Sequence, residues 1–246
     1  MRVTELPTTD EQIRAAARGL AERVAAFWEA RLGDRLLGFY LLGSLAHGGF
    51  NRRYSDIDVG LIAEDGLEQE EIAAMRAEAA RLAPDLAPKL SLFWTDRGFS
   101  VGRFPPLDRL DYLDHGVALA ERERVRPPRP TLAEVRDYLR GAPLENWQAA
   151  AARFAALDML AAADHKPYLR AHLYPARFAY SWATGRMSSN DDAVAYLHEN
   201  PPQGLDLALL DRALRCRHEA ADPDGLFADR AALPRQVDAC ARLVSG

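Results

Sequence analysis

The feature that most constrains this chain is the stretch LLGSLAHGGFNRRYSDIDVGLI, Leu41 to Ile62. One apolar run ends in Gly43-Ser44, and after ten intervening residues Ser55 and Asp56 open a second run in which Asp58 follows. Side chains of a strand alternate between faces, so Asp56, Asp58 and Gly60 share one side and Ile57, Val59 and Leu61 the other. The apolar side is the core side, which leaves two carboxylates together near the sheet edge. Like charges in that position are costly without a counter-ion, and a divalent cation with oxygen ligands, Mg2+, relieves the cost. The Gly-Ser turn and the LAHG segment behind it read as the opening of a helix whose N–H groups face an anion. Ser44 and Ser55 add hydroxyl donors, and Arg52 and Arg53 add charge on the intervening loop.

The rest of the chain frames that motif. From Asp10, read as an N-cap, apolar residues recur at helical spacing until Gly33. Arg35 to Leu42 and Asp56 to Ile62 read as strands, Leu67 to Ala83 as a helix ended by Pro84 and Pro88, and Lys89 to Thr95 as a third strand. The expected product is a small mixed sheet with flanking helices. RVRPPRP, Arg124 to Pro130, is the strongest linker signal, because paired prolines favour an extended, unpaired backbone. Beyond it Thr131 caps a helical run, and further helices are expected over Leu144 to His165, Tyr168 to Thr184, Asp191 to Glu199 and Leu205 to Ala220. The expected architecture is therefore an α/β N-terminal domain, residues 1–125, followed by an all-α domain, residues 131–246.

At 246 residues and 48% hydrophobic content the chain can bury a sizeable core. Its formal net charge of -5 argues against non-specific binding to nucleic acid or an anionic membrane and suits a cationic partner. Cys216 and Cys240 lack the spacing of metal ligands and fit a reducing compartment. The sequence offers no secretion leader at its N-terminus and no window of 18 apolar residues, so a cytoplasmic protein is expected.

Taken jointly, strand, Gly-Ser, ten residues, Ser-Asp-x-Asp and strand resemble the signature of the nucleotidyltransferase superfamily that shares the polymerase-beta catalytic fold. A second stretch, Arg177-Phe178-Ala179-Tyr180-Ser181-Trp182-Ala183-Thr184-Gly185-Arg186-Met187-Ser188-Ser189-Asn190-Asp191, resembles the helix-turn segment of the aminoglycoside adenylyltransferases that modify streptomycin and spectinomycin. Both come in the same order and cover most of the chain. The resemblance implies that Gly43, Ser44 and Ser55 bind the nucleotide, the serines through its phosphates. It implies that Asp56 and Asp58 are the catalytic, Mg2+-binding pair, and that Arg177 reaches the triphosphate across a cleft between the domains. It further implies ATP as donor and a small, cationic hydroxyl compound as acceptor, an aminoglycoside first, with antibiotic resistance as the outcome. A protein hydroxyl is a second acceptor.

Two positions depart from the family pattern. Asn190 stands where a lysine follows the paired serines, and Arg186 can replace it only with a different geometry. Ser91 stands where the next strand should carry a third carboxylate, and serine is no general base. In KLSLFWT the set Leu90, Leu92 and Trp94 should face the core and place Ser91 on the side of Asp56 and Asp58. Asp96, five residues further on, is the alternative acid and reaches the site only if the strand ends or bulges before it. Without a third acid the chain can also be read as a nucleotide binder that transfers nothing. His47 reads as loop surface, and His165, His172, His198 and His218 as helix histidines without ligand spacing.

Overall fold

The computed structural model describes residues 10–245; residues 1–9, part of the N-terminal stretch read above for a leader, lie outside them. The chain divides into two compact units, with the boundary between Arg129 and Pro130.

In the first unit α1, Asp10–Leu32, buries Ala17, Leu20, Ala21, Val24, Ala25, Trp28 and Leu32, the three-and-four spacing of one helix face. Gly33 then turns the chain with φ of 53° into β1, Leu36–Leu41, which is buried throughout. A short α2, Gly43–His47, and a loop lead to β2, Ile57–Ala63, antiparallel to β1 with Leu41 opposite Val59. After α3, Gln69–Leu82, the chain enters β3, Leu90–Asp96, which lies parallel to β2. Then come β4, Gly102–Arg103, α4, Pro106–His115, and β5, Val117–Glu121, antiparallel to β1. The sheet order is β4-β3-β2-β1-β5.

Strand alternation sorts the two faces. Ile57, Val59, Leu61 and Ala63 join a core built on α1 and α3, and Leu90, Leu92 and Trp94 pack against the same core. The opposite face is also covered, which the expected single core face had not included. There Leu37, Tyr40, Leu42, Ile62, Phe93 and Tyr112 form a second cluster with Phe99, Phe104 and Leu113 against it. Its cover is α4, a helix unmarked in the sequence because Pro105-Pro106 reads as a breaker. Pro105 is the cap residue and Pro106 sits in the first turn, where a missing N–H costs nothing.

Residues 124–130 form neither helix nor strand, as the prolines require. They are tied to the first unit at both ends, since Tyr112 Oη donates to Val125 O at 2.6 Å and Arg129 pairs with both oxygens of Asp114 at 2.6 and 2.7 Å.

The second unit is helical. Thr131 and Glu134 form the capping box of α5, Leu132–Arg140. The helix expected over Leu144 to His165 is instead α6, Ala142–Ala155, followed by an irregular segment. Tertiary bonds hold that segment: Arg230 Nε donates to Leu157 O at 2.6 Å, and Arg153 pairs with Asp164 at 3.0 Å. The central helix is α7, His165–Thr184, buried on most of its surface and closed by Gly185 in the left-handed conformation. Around it stand α8, Asn190–Glu199, α9, Leu207–His218, α10, Asp224–Phe227, and α11, Leu233–Ser245. The last two lie in a region the sequence reading left unassigned.

Candidate active site

Gly43 is the centre of the site in the first unit. Its φ of 61° is one that only glycine adopts at no cost, and it turns β1 into α2. A Cβ at this position would overlap Asp58 Oδ2, so glycine lets the carboxylate rest against the backbone. Leu42 N donates to Asp58 O at 2.9 Å, which locks the end of β1 to the start of β2. On the other side Gly43 N donates to Asp111 Oδ2 at 2.6 Å. The glycine of the motif is thus held between two carboxylates.

The loop is organised by Asn51, a residue the sequence reading passed over. Its side-chain oxygen accepts from Arg53 N at 2.9 Å and Tyr54 N at 3.0 Å, an Asx-type turn. Ser55, 2% exposed, accepts from Asn51 N at 2.9 Å and from Ser44 Oγ at 3.1 Å. The two serines of the motif therefore meet across the loop. Arg52 instead lies 3.6 Å from Asp10, and Arg53 covers the Tyr54 ring at 5.4 Å. Asp56 precedes the strand, and both acids are half-buried.

In the parallel register of β2 and β3, Ser91 lies opposite Asp58. No carboxylate of β3 stands at that level. Asp96 pairs in register with Ala63 at the far end, five residues away, or about 17 Å at the rise of a strand. Its oxygens hold the following turn, accepting from Ser100 N at 2.7 Å, Ser100 Oγ at 2.7 Å and Val101 N at 3.0 Å. Burial pushes the Asp96 carboxyl up, but the Ser100 hydroxyl and the amides of Val101, Ser100 and Gly98 outweigh it and hold it at about 2. β3 neither ends nor bulges before Asp96.

In the second unit Arg177 leaves α7 half-buried, its guanidinium 5.0 Å from the centre of the Tyr174 ring, with Arg170 over the same ring at 5.4 Å. Burial draws the nearby Arg217 below its ordinary value; Tyr174 opposes this, while Arg177 and Arg170 add to it. Asn190 is the first residue of α8, and its side-chain oxygen is buried without a hydrogen-bond partner. Trp182 lies under the guanidinium groups of Arg136 and Arg140, at 4.9 and 4.8 Å, a packing role. His165, His198 and His218 each face an aspartate, at 3.0, 2.8 and 2.7 Å.

No family model matches the sequence, and no curated protein does. Among solved structures, a spectinomycin adenyltransferase, AAD(9), from Enterococcus faecialis, crystallised with ATP and spectinomycin, superposes with a TM-score of 0.68. The match covers 94% of this chain and 99% of that one at 10% identity. The chain has a nucleotidyltransferase fold. A toxin-antitoxin structure with AMP-PNP overlaps only 41% of this chain and 73% of its own, at 21% identity and a TM-score of 0.31.

Within the nucleotidyltransferase fold, the first unit supplies the motif and the second is the helical part. Among the described residues no group of three or more His, Cys, Asp or Glu is placed to hold a metal ion. The pair Asp56 and Asp58, with Gly43 opened to receive the Asp58 oxygen, still fits Mg2+, which commonly takes one or two carboxylates and completes its shell with phosphates and water. No helix among the described residues is long and apolar enough to cross a membrane. Asp111, 3% exposed, is a carboxylate beside Gly43 that sequence reasoning missed. Nothing in RLDYLDH marks it, and only the cover of α4 over the sheet reveals its burial.

Proposed function

We propose that this chain is a Mg2+-dependent nucleotidyltransferase that moves AMP from ATP to a hydroxyl of a small cationic acceptor, an aminoglycoside-type antibiotic. The observation that carries the reading is the Gly43 turn, which seats the Asp58 oxygen against the backbone and brings Ser44 to Ser55. Asp56 and Asp58 hold Mg2+, which when bound orients the triphosphate and neutralises charge developing at the α-phosphorus. Ser44 and Ser55 donate to phosphate oxygens, and Arg177 adds a charge-assisted contact to the outer phosphates. The acceptor oxygen forms a bond to the α-phosphorus as the bond to the bridging oxygen breaks, and pyrophosphate leaves. ATP as donor and spectinomycin as a bound compound are features of the superposed enzyme, and the net charge of -5 suits a cationic acceptor. Antibiotic resistance, exerted in the cytoplasm, is the biological outcome of this reading.

A second reading has an observation of its own. Ser91, opposite Asp58, offers no carboxylate to take the acceptor's proton, as expected of a nucleotide binder that transfers nothing. Pyrophosphate release from Mg-ATP across aminoglycosides, spectinomycin and lincosamides separates the two. Release with one of these acceptors supports the transferase; ATP binding without release from any of them supports the binder.

A further inference from the structure

The proton of the attacking hydroxyl needs an acceptor, and β3 does not provide one. The face of the sheet that carries Asp58 and Ser91 is covered by α4, and α4 brings Asp111 to Gly43, the residue that Asp58 also touches. Asp111 is buried, its Oδ2 is held by Gly43 N, and its Oδ1 has no hydrogen-bond partner. A buried carboxylate oxygen left without a donor is destabilising, so its retention calls for a reason. The nearest basic group is His47, the last residue of α2, whose Nε2 lies 3.8 Å from Asp111 Oδ1. The imidazole is 15% exposed at its side chain, against 5% for Asp111, so it is the member that a substrate can reach.

We infer that His47 is the general base of this site and that Asp111 is its positioning residue. This rests on the transferase reading above. Asp111, fixed through Gly43, holds the imidazole with its proton on Nε2 and stabilises the imidazolium once Nδ1 has taken the hydroxyl proton. The acceptor oxygen then bonds to the α-phosphorus and pyrophosphate carries off the electron pair of the broken bond. A separation of 3.8 Å suits a site without substrate, where catalytic hydrogen bonds are often long and tighten on binding. A base oriented by an acid is the means by which hydroxyl nucleophiles are activated on unrelated folds. Titratable groups near His47 from the elements packed on α2 include Asp111 and His115 on α4, the latter with ring centroids 5.1 Å away, while Asp58 on β2 lies against Gly43 at the other end of α2.

The test uses the full chain and the acceptor that supports the fastest pyrophosphate release. His47→Gln is expected to slow turnover by about 100-fold or more while affinity for Mg2+ and a nonhydrolysable ATP analogue stays within about threefold, since a base contributes to the chemical step alone. Asp111→Asn keeps an acceptor for Gly43 N but no charge, so the acid limb of the pH–rate profile moves to lower pH, a shift that loss of packing does not produce. Ser91→Glu added to His47→Gln places a carboxylate opposite Asp58 and recovers part of the turnover. Wild-type turnover in His47→Gln, or loss of analogue binding in place of turnover, overturns this inference and leaves the transferase reading standing. Silence of the wild-type chain with every acceptor overturns both.

Discussion

At Gly43 one methyl group tests the cradle. Gly43→Ala forces an L side chain to a φ of 61° and drives its Cβ into Asp58 Oδ2. The expected result is a loss of about 1–3 kcal/mol of stability by denaturant titration, together with loss of Mg2+-dependent ATP binding. Asp58→Asn acts differently, because it removes a metal ligand and relieves like-charge repulsion with Asp56. Its melting temperature without ligand should stay level or rise, while calorimetry shows Mg-ATP affinity falling at least tenfold; an unchanged affinity defeats the metal assignment. That Gly43 meets Asp58 and Ser44 meets Ser55 was legible because the spacing of the motif is local, while the roles given to these residues and to Asp56 are proposals. Asp111 and Asn51 were not legible. An acid on a helix and an asparagine in a loop acquire meaning only from what they touch, and Asp111 touches a residue 68 positions away.

At the scale of elements, alternation and helical spacing located β1, β2, β3, α1, α3 and α7, where several apolar residues repeat on one face. The same rule placed Ser91 on the face of Asp58, since one apolar set fixes the direction of the other, and the register of the strands sets the two opposite each other. It missed β4, α4 and β5, because two-residue and five-residue strands carry too few repeats and Pro105-Pro106 resembles a break. It also ran α6 through to His165, although the helix stops at Ala155 and an arginine from elsewhere in the chain binds Leu157 O just past its end. Within α7, His172 has its ring stacked edge-on against Tyr168 at 5.0 Å, and both ring nitrogens are buried without partners. Burial, and to a lesser degree Arg212, pushes it down to about 3 from an ordinary 6.5. The folded chain therefore refuses a proton that the unfolded chain accepts. Stability owed to neutral His172 is complete above about pH 6.5 and declines as pH falls towards about 3. His172→Phe, which keeps a ring against Tyr168, should show a smaller fall in urea midpoint between pH 6.5 and pH 4 than the wild type. Parallel midpoints for the two proteins contradict this account of α7.

The whole molecule joins a motif-bearing α/β unit to a helical unit, and the proposed role of the second rests on Arg177. If that guanidinium serves the outer phosphates, Arg177→Ala weakens ATP by roughly 1.5–3 kcal/mol, the range for a hydrogen bond to a charged group, and leaves AMP nearly unchanged. Equal weakening of both ligands returns Arg177 to a packing role over Tyr174. The superposition over 94% of the chain, at 10% identity, fixes the fold and leaves the chemistry to be read from the residues. The central claim is that the α-phosphorus is attacked, and the fate of label from ATP tests it directly. With Mg2+ and a panel of aminoglycosides and spectinomycin, label in the α-phosphate should appear on an acceptor while label in the γ-phosphate leaves as pyrophosphate, and Asp58→Asn should abolish both. Transfer of the γ-label to an acceptor, or retention of both labels in ATP with every acceptor, contradicts the account.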